Sequence, residues 1–293
     1  MRGSCSRFVT MTVYPRRNVK KYDKPHHEFR SIGDFLETRY IEPGIISIDG
    51  AFPIDIYYVP TGSATTVISF HAALSKAEII LPMFAGGKVT QDGPVNIIVI
   101  SDPGLYAGHE HKIAWFAGTK NLPFQQQLPK IIDKLLVMAS SHRTLFWGPS
   151  AGGFGALYYS KLFPESLAIA INPQTNIANF DLSQQRAYTQ AAFGANTTDE
   201  HERVLSEEIN SNLIDWYDGE MSNYILYLQN ESDPHAEQHM EPFLKSLNDK
   251  SRIKVHIGNW GSGHVAPTPE EIRRIVSSFT LSEGTWGDLL QAY

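Results

Sequence analysis

The 293-residue sequence has one cysteine, Cys5, which excludes an intrachain disulfide and a cysteine-based zinc cluster. Long apolar runs are missing as well. Stretches such as 97–100 are strand-length, far short of a membrane span. No apolar h-region follows the early arginines or Arg16-Arg17, so no signal peptide is expected, and a cytoplasmic location is. The formal charge of −6 offers no attraction to nucleic acid or to an anionic membrane. A P-loop is absent: Gly152-Gly153-Phe154-Gly155 follows a serine and lacks the phosphate-binding lysine. Internal repeats, low-complexity tracts and inter-domain linkers are absent too.

What remains is an ordinary globular composition, 42% hydrophobic and 19% charged. Its length suits a single α/β domain over residues 31–293. Residues 1–30 carry eight Lys/Arg against Asp23 and Glu28, and are expected to form a solvated basic arm. A short helix is predicted over 32–38. Alternating segments at 45–49 and 54–59, around Asp49-Gly50, predict an antiparallel hairpin. Apolar runs at 65–70, 95–101, 144–147, 167–171, 224–228 and 253–257 predict strands, and the lack of alternation at 95–101 predicts one buried on both faces. Helical stretches lie between them, at about 124–140, 151–163, 235–247 and 269–279, and a helical cap segment is expected around 181–213. A mostly parallel central sheet with helices on both faces follows.

The chain is organised around residues 143–157, RTLFWGPSAGGFGAL. Gly148-Pro149-Ser150-Ala151-Gly152 fits G-x-S-x-G between a predicted strand and helix, the pattern of a nucleophile elbow. A serine that attacks a carbonyl must stand clear of the sheet on a strained turn. Glycines on either side let strand and helix approach each other.

Such a serine needs a base, and the base needs a carboxylate to fix its tautomer. Reactive groups in an open α/β sheet gather at the carboxyl ends of the strands. His264, in Gly261-Ser262-Gly263-His264 after the last predicted strand, is the expected base. Asp233, after the strand before it, is the expected acid, with Glu231 and then Asp181 as rivals. The oxyanion donors are expected at the N–H of Ala151 and of Ala72 or Ala73, with Ala72 favoured. His71 either shapes that loop or touches substrate. Two histidine pairs, His109/His111 and His235/His239, have spacings a metal could use but no evident third ligand, so no metal is expected. Phe180, Tyr188, Phe193, Trp115, Phe116 and Trp260 either line a substrate pocket or pack as apolar core.

Elbow GPSAGG, loop FHAAL, Asp233 and loop GSGH together resemble the α/β-hydrolase superfamily from about residue 65 to 279. That resemblance implies an eight-stranded, mostly parallel sheet, a Ser-His-acid triad and an acyl-serine intermediate. A narrower likeness is to bacterial polysaccharide O-acetyltransferases of this fold. It is carried by GxSxGGxGAL, by Asn172-Pro173-Gln174 and by the short spacing from Ser150 to Asp233. Pro149 and the basic arm are not part of it. On this basis Gln174 joins His71 as an expected substrate-side residue. The leading expectation is a serine esterase acting without a cofactor on a small-molecule or glycan ester. The alternative is an O-acetyltransferase that takes its acyl group from a donor such as acetyl-CoA. A binding protein on the same fold, without catalysis, is the third reading.

Overall fold

The apolar runs assemble into one nine-stranded sheet in the computed structural model, which describes residues 16–90 and 92–293. In chain order the strands are β1 (His26–Phe29), β2 (Gly44–Ile48), β3 (Ile54–Val59), β4 (Thr65–Phe70), β5 (Asn96–Ile100), β6 (Arg143–Pro149), β7 (Leu167–Ile171), β8 (Tyr224–Asn230) and β9 (Ile253–Gly258). Across the sheet the order is β1-β2-β3-β5-β4-β6-β7-β8-β9. Strand β3 runs antiparallel to both β2 and β5, and every other neighbouring pair is parallel.

Helices α1 (Ile32–Glu37), α2 (Phe124–Met138), α3 (Ala151–Ser160), α4 (Leu182–Phe193), α5 (Thr198–Arg203), α6 (Leu213–Trp216), α7 (Glu241–Ser246), α8 (Pro269–Thr280) and α9 (Trp286–Ala292) complete the architecture. Successive strand side chains enter two separate cores, as a pleat requires. Ile68, Phe146, Ala168 and Tyr227 face α2, α3 and α7, whereas Val67, Leu145, Ile169 and Leu228 face α8 and α9. Helix α3 is buried along its whole length. Among the described residues no helix is long and apolar enough to cross a membrane.

Two expectations need correction. The resemblance implied eight strands; the ninth is β1, parallel to β2 at the sheet edge. Residues 16–30 are not a solvated arm. The Arg17 guanidinium holds the fully buried Asp55 carboxylate at 2.6 and 2.9 Å, and Arg16 donates to the Gly108 carbonyl at 2.9 Å. A carboxylate inside the protein needs a counter-charge, and that requirement draws the basic segment in. Residues 1–15 of the expected arm, with Cys5, lie outside the described residues. The expected cap segment is helical as α4, α5 and a further turn over Val204–Glu208.

The chain leaves β4 toward β5 on one side, and β6 lies on the other. The crevice beyond the ends of β4 and β6 is therefore a topological switch point, where open α/β sheets place their sites.

Candidate active site

Strand β6 ends at Pro149 and α3 begins at Ala151, leaving Ser150 on the turn at φ 55° and ψ −117°. Backbone so far from ordinary regions costs about 1–3 kcal/mol and persists only where its surroundings enforce it. The enforcement is visible. A Cβ on Gly152 would lie 2.3 Å from the Phe70 carbonyl oxygen, and one on Gly148 would lie 2.4 Å from the Gly152 backbone. Ser150 N–H donates to the Ile171 carbonyl at 2.8 Å, which pins the turn to β7. Among the described residues neither the Ala151 nor the Ala72 N–H donates to a protein group. Ala151 stands at the first position of α3, the positive end of the helix.

His71 shapes the loop that carries Ala72. Its Nε2 accepts from the Asp102 N–H at 3.1 Å, so the ring proton sits on Nδ1 and is donated to the Ala72 carbonyl at 2.7 Å. Burial pushes its pKa down to about 4, and the ring is neutral. Both nitrogens are occupied by backbone, so a substrate-touching role for His71 is not supported.

Asp233 and His264 meet from the loops after β8 and β9. His264 Nδ1 donates to Asp233 Oδ2 at 2.6 Å, and Asp233 Oδ1 accepts the His235 N–H at 2.9 Å. With Nδ1 protonated, His264 Nε2 is the basic nitrogen. Asp233 is buried, while the His264 side chain is 42% exposed. Glycine is required in the His264 loop, where Gly261 and Gly263 have φ of 132° and 81°. Asn230 donates to the carbonyls of both, and Asn172 donates to the Val265 carbonyl at 2.8 Å. The rival acids are engaged elsewhere: Asp181 caps α4, and exposed Glu231 accepts from Asn259.

Ser150 Oγ itself accepts from Gln174 Nε2 at 3.0 Å, and Gln174 Oε1 accepts from the Trp115 indole N–H at 2.9 Å. Gln174 is fully buried behind the serine. Among the described residues Ser150 makes no hydrogen bond to His264; such contacts often tighten only in the substrate complex.

His235, which its spacing to His239 marked only as half of a metal pair, also neighbours the expected base: its ring lies 4.2 Å from that of His264 and 4.7 Å from that of His239. Burial first, then the nearby His264 charge, lowers its pKa. Ligand atoms of Asp233, His235 and His264 lie within 4.8 Å of one another, a spacing a metal could span. Asp233 and His264 are bonded to each other, however, so metal binding there would have to break the pair. The spaced pairs considered from sequence divide differently: buried His111 contacts the Gly104 carbonyl, and buried His239 accepts the Thr175 N–H.

Asn179, Phe180, Asp181, Gln238, His235 and His264 line an open cleft of about 410 Å³. Of the aromatic candidates, Phe180 reaches it. Trp115, Phe116 and Tyr188 are fully buried core, Phe193 packs on Tyr188, and Trp260 packs beside His256.

No protein-family model and no curated protein matches the chain. Solved structures do. The capsule O-acetyltransferase of Neisseria meningitidis serogroup A aligns at TM-score 0.62 and 15% identity, over 85% of this chain and 99% of that one. A component of the glycosylation-associated Gap123 complex of Streptococcus agalactiae aligns at TM-score 0.59 and 16% identity, over 79% of this chain. The match spans only 46% of that longer protein. A puromycin-hydrolysing peptidase of Mycobacterium tuberculosis aligns at TM-score 0.56 and 16% identity, over 83% of this chain and 40% of that one. At these identities the likeness is one of fold. The chain has the α/β-hydrolase fold, with structural similarity to an O-acetyltransferase.

Proposed function

We propose that the protein catalyses acyl-ester chemistry through Ser150, His264 and Asp233, with an acyl-serine intermediate. The observation that carries this reading is the 2.6 Å Asp233–His264 pair, on loops at the same carboxyl edge of the parallel sheet as a serine on a strained strand-to-helix turn. Ser150 Oγ attacks the ester carbonyl carbon as His264 Nε2 takes the hydroxyl proton. The tetrahedral oxyanion is received by the Ala72 and Ala151 N–H groups. His264 then gives its proton to the departing alcohol or thiol, leaving acyl-Ser150. A second nucleophile, deprotonated by His264, attacks that ester, and Ser150 recovers its proton.

With water as second nucleophile the protein is an esterase, which is the primary reading. With a glycan hydroxyl it is an O-acetyltransferase. That second reading is favoured by the near full-length match to the capsule enzyme, a variant of which is solved in complex with CoA. The polar side chains at the cleft, Asn179, Asp181 and Gln238, suit a hydroxyl-bearing acceptor.

The test is turnover of p-nitrophenyl acetate and acetyl-CoA by wild type and Ser150→Ala, with and without a polysaccharide. Loss of turnover in Ser150→Ala supports the nucleophile, by about 10³-fold or more. Acceptor-dependent acceleration with acetylated glycan supports transfer, and turnover indifferent to acceptor supports hydrolysis. Wild type inert toward several acyl chain lengths would leave a non-catalytic binding protein.

A further inference from the structure

We propose that Gln174 acts in catalysis as a hydrogen-bond donor to the nucleophile's own oxygen, and that Trp115 fixes which end of its amide faces Ser150. The inference rests on the serine reading above and adds a group distinct from the oxyanion donors.

An amide side chain has a donor end and an acceptor end, and its orientation follows from its partners. An indole N–H can only donate. Because Trp115 donates to Oε1 at 2.9 Å, the Gln174 NH₂ must face Ser150 Oγ, 3.0 Å away. Gln174 has no exposed surface, so water cannot take over either bond. Two consequences follow. Oγ accepts from Gln174, which leaves its hydroxyl proton free for His264. Negative charge also grows on Oγ twice: when its proton leaves during attack, and when the C–Oγ bond of the acyl-serine breaks and its electron pair returns to oxygen. The same N–H meets that charge both times, before His264 restores the proton.

The backbone that aims the indole is unusual. Trp115 and Phe116 are consecutive bulky residues at φ 51° and 57°, in the left-handed region. Asp102 Oδ2 accepts the Phe116 N–H at 2.7 Å, and Tyr159 Oη donates to the Phe116 carbonyl at 2.7 Å. Phe180 and Tyr188 pack edge-on against the indole at 5.8 and 5.6 Å. Strain held in place from several sides is a feature of functional positions. Here its product is a donor directed at Gln174.

The experiment is the rate of Ser150 labelling by a fluorophosphonate across pH, in wild type, Gln174→Glu and Trp115→Phe. In Gln174→Glu one carboxylate oxygen still accepts from Trp115, while the other draws the serine proton away from His264. Labelling at pH 8 is expected to fall about 100-fold. The variant-to-wild-type ratio should recover as the pH drops and the glutamate, once protonated, donates again. Trp115→Phe lets the amide turn over, and labelling should fall about tenfold at every pH. A ratio that does not change with pH in Gln174→Glu, together with a wild-type rate in Trp115→Phe, would overturn the inference. If Gln174→Glu fails to fold by circular dichroism, the Trp115→Phe rate decides alone. Absence of labelling in wild type overturns the serine reading as well, so the two failures are distinguishable.

Discussion

Asp233 is used at both oxygens, and the two bonds have different consequences. Oδ1 receives the His235 N–H and belongs to the turn, whereas Oδ2 receives His264 Nδ1–H and sets which nitrogen of that ring is basic. Asp233→Asn keeps an oxygen for the turn but directs an NH₂ at His264 Nδ1. The ring must then carry its proton on Nε2, where a base is needed. We expect kcat/KM to fall about 10³–10⁴-fold with little change in thermal midpoint, measured on any ester that wild type turns over. At this scale the turn of Ser150 and the pairing of Asp233 with His264 are legible in the sequence, because each residue follows a strand in a turn with its own local pattern. Gln174 and His235 are not legible in their observed roles. Trp115 and Gln174 are 59 positions apart, and no spacing rule joins them. For His71 the sequence left loop-shaping and substrate contact both open, because its partners are backbone groups, which residue type does not reveal.

Among the elements, the hairpin of β2 and β3 follows directly from alternating side chains around Asp49-Gly50. Strand β1, HHEF, shows no apolar alternation, since an edge strand can be short and polar and still complete the ladder. Helix α9 is equally quiet. Its seven residues hold through a capping box at Thr285 and Asp288 and through Trp286, which lies under the Arg143 guanidinium at 4.0 Å. The N-terminal segment is fixed by one buried pair. Arg17→Ala would leave the buried Asp55 carboxyl without its guanidinium, with hydroxyl partners from Ser47 and Tyr106. Breaking one side of such a pair costs about 3–5 kcal/mol. Urea unfolding should register that loss, and Arg17→Ala combined with Asp55→Asn should recover part of it. An Arg17→Ala protein as stable as wild type would mean that β1 is held mainly by its ladder.

Stability against pH belongs to the whole molecule, because buried groups pull in opposite directions. His71 and His239 are held neutral by burial, with pKa values pushed down to about 4 and about 3. Between those values and the ordinary 6.5, the unfolded chain binds protons that the folded protein refuses. Their contribution is therefore complete above pH 6.5 and lost as the pH falls through 4 and then 3. Asp102 works the other way. Burial raises its pKa from 3.8 to about 7 against the pull of the Phe116 and Gly104 N–H groups. Its contribution is complete below 3.8 and is lost as the pH rises through 7. Between about pH 4 and 6.5, two histidines oppose one carboxyl, so one group's slope remains, about 1.4 kcal/mol per pH unit, favouring the folded state as pH rises. His235 and His111, both lowered first by burial, add to the same side. Urea unfolding at pH 5.0 should thus give a stability about 2 kcal/mol below that at pH 6.5, a large share of a typical domain's margin. His239→Gln should flatten the slope, because an amide cannot take the proton. Stability that is constant or rises on acidification would mean that these imidazoles accept protons in place, and that the packing around the site is looser than the hydrogen bonds of His71 and His239 imply. The same groups crowd the carboxyl edge of the sheet around Ser150. Loss of activity below pH 6 must therefore be separated from loss of fold before it is assigned to His264.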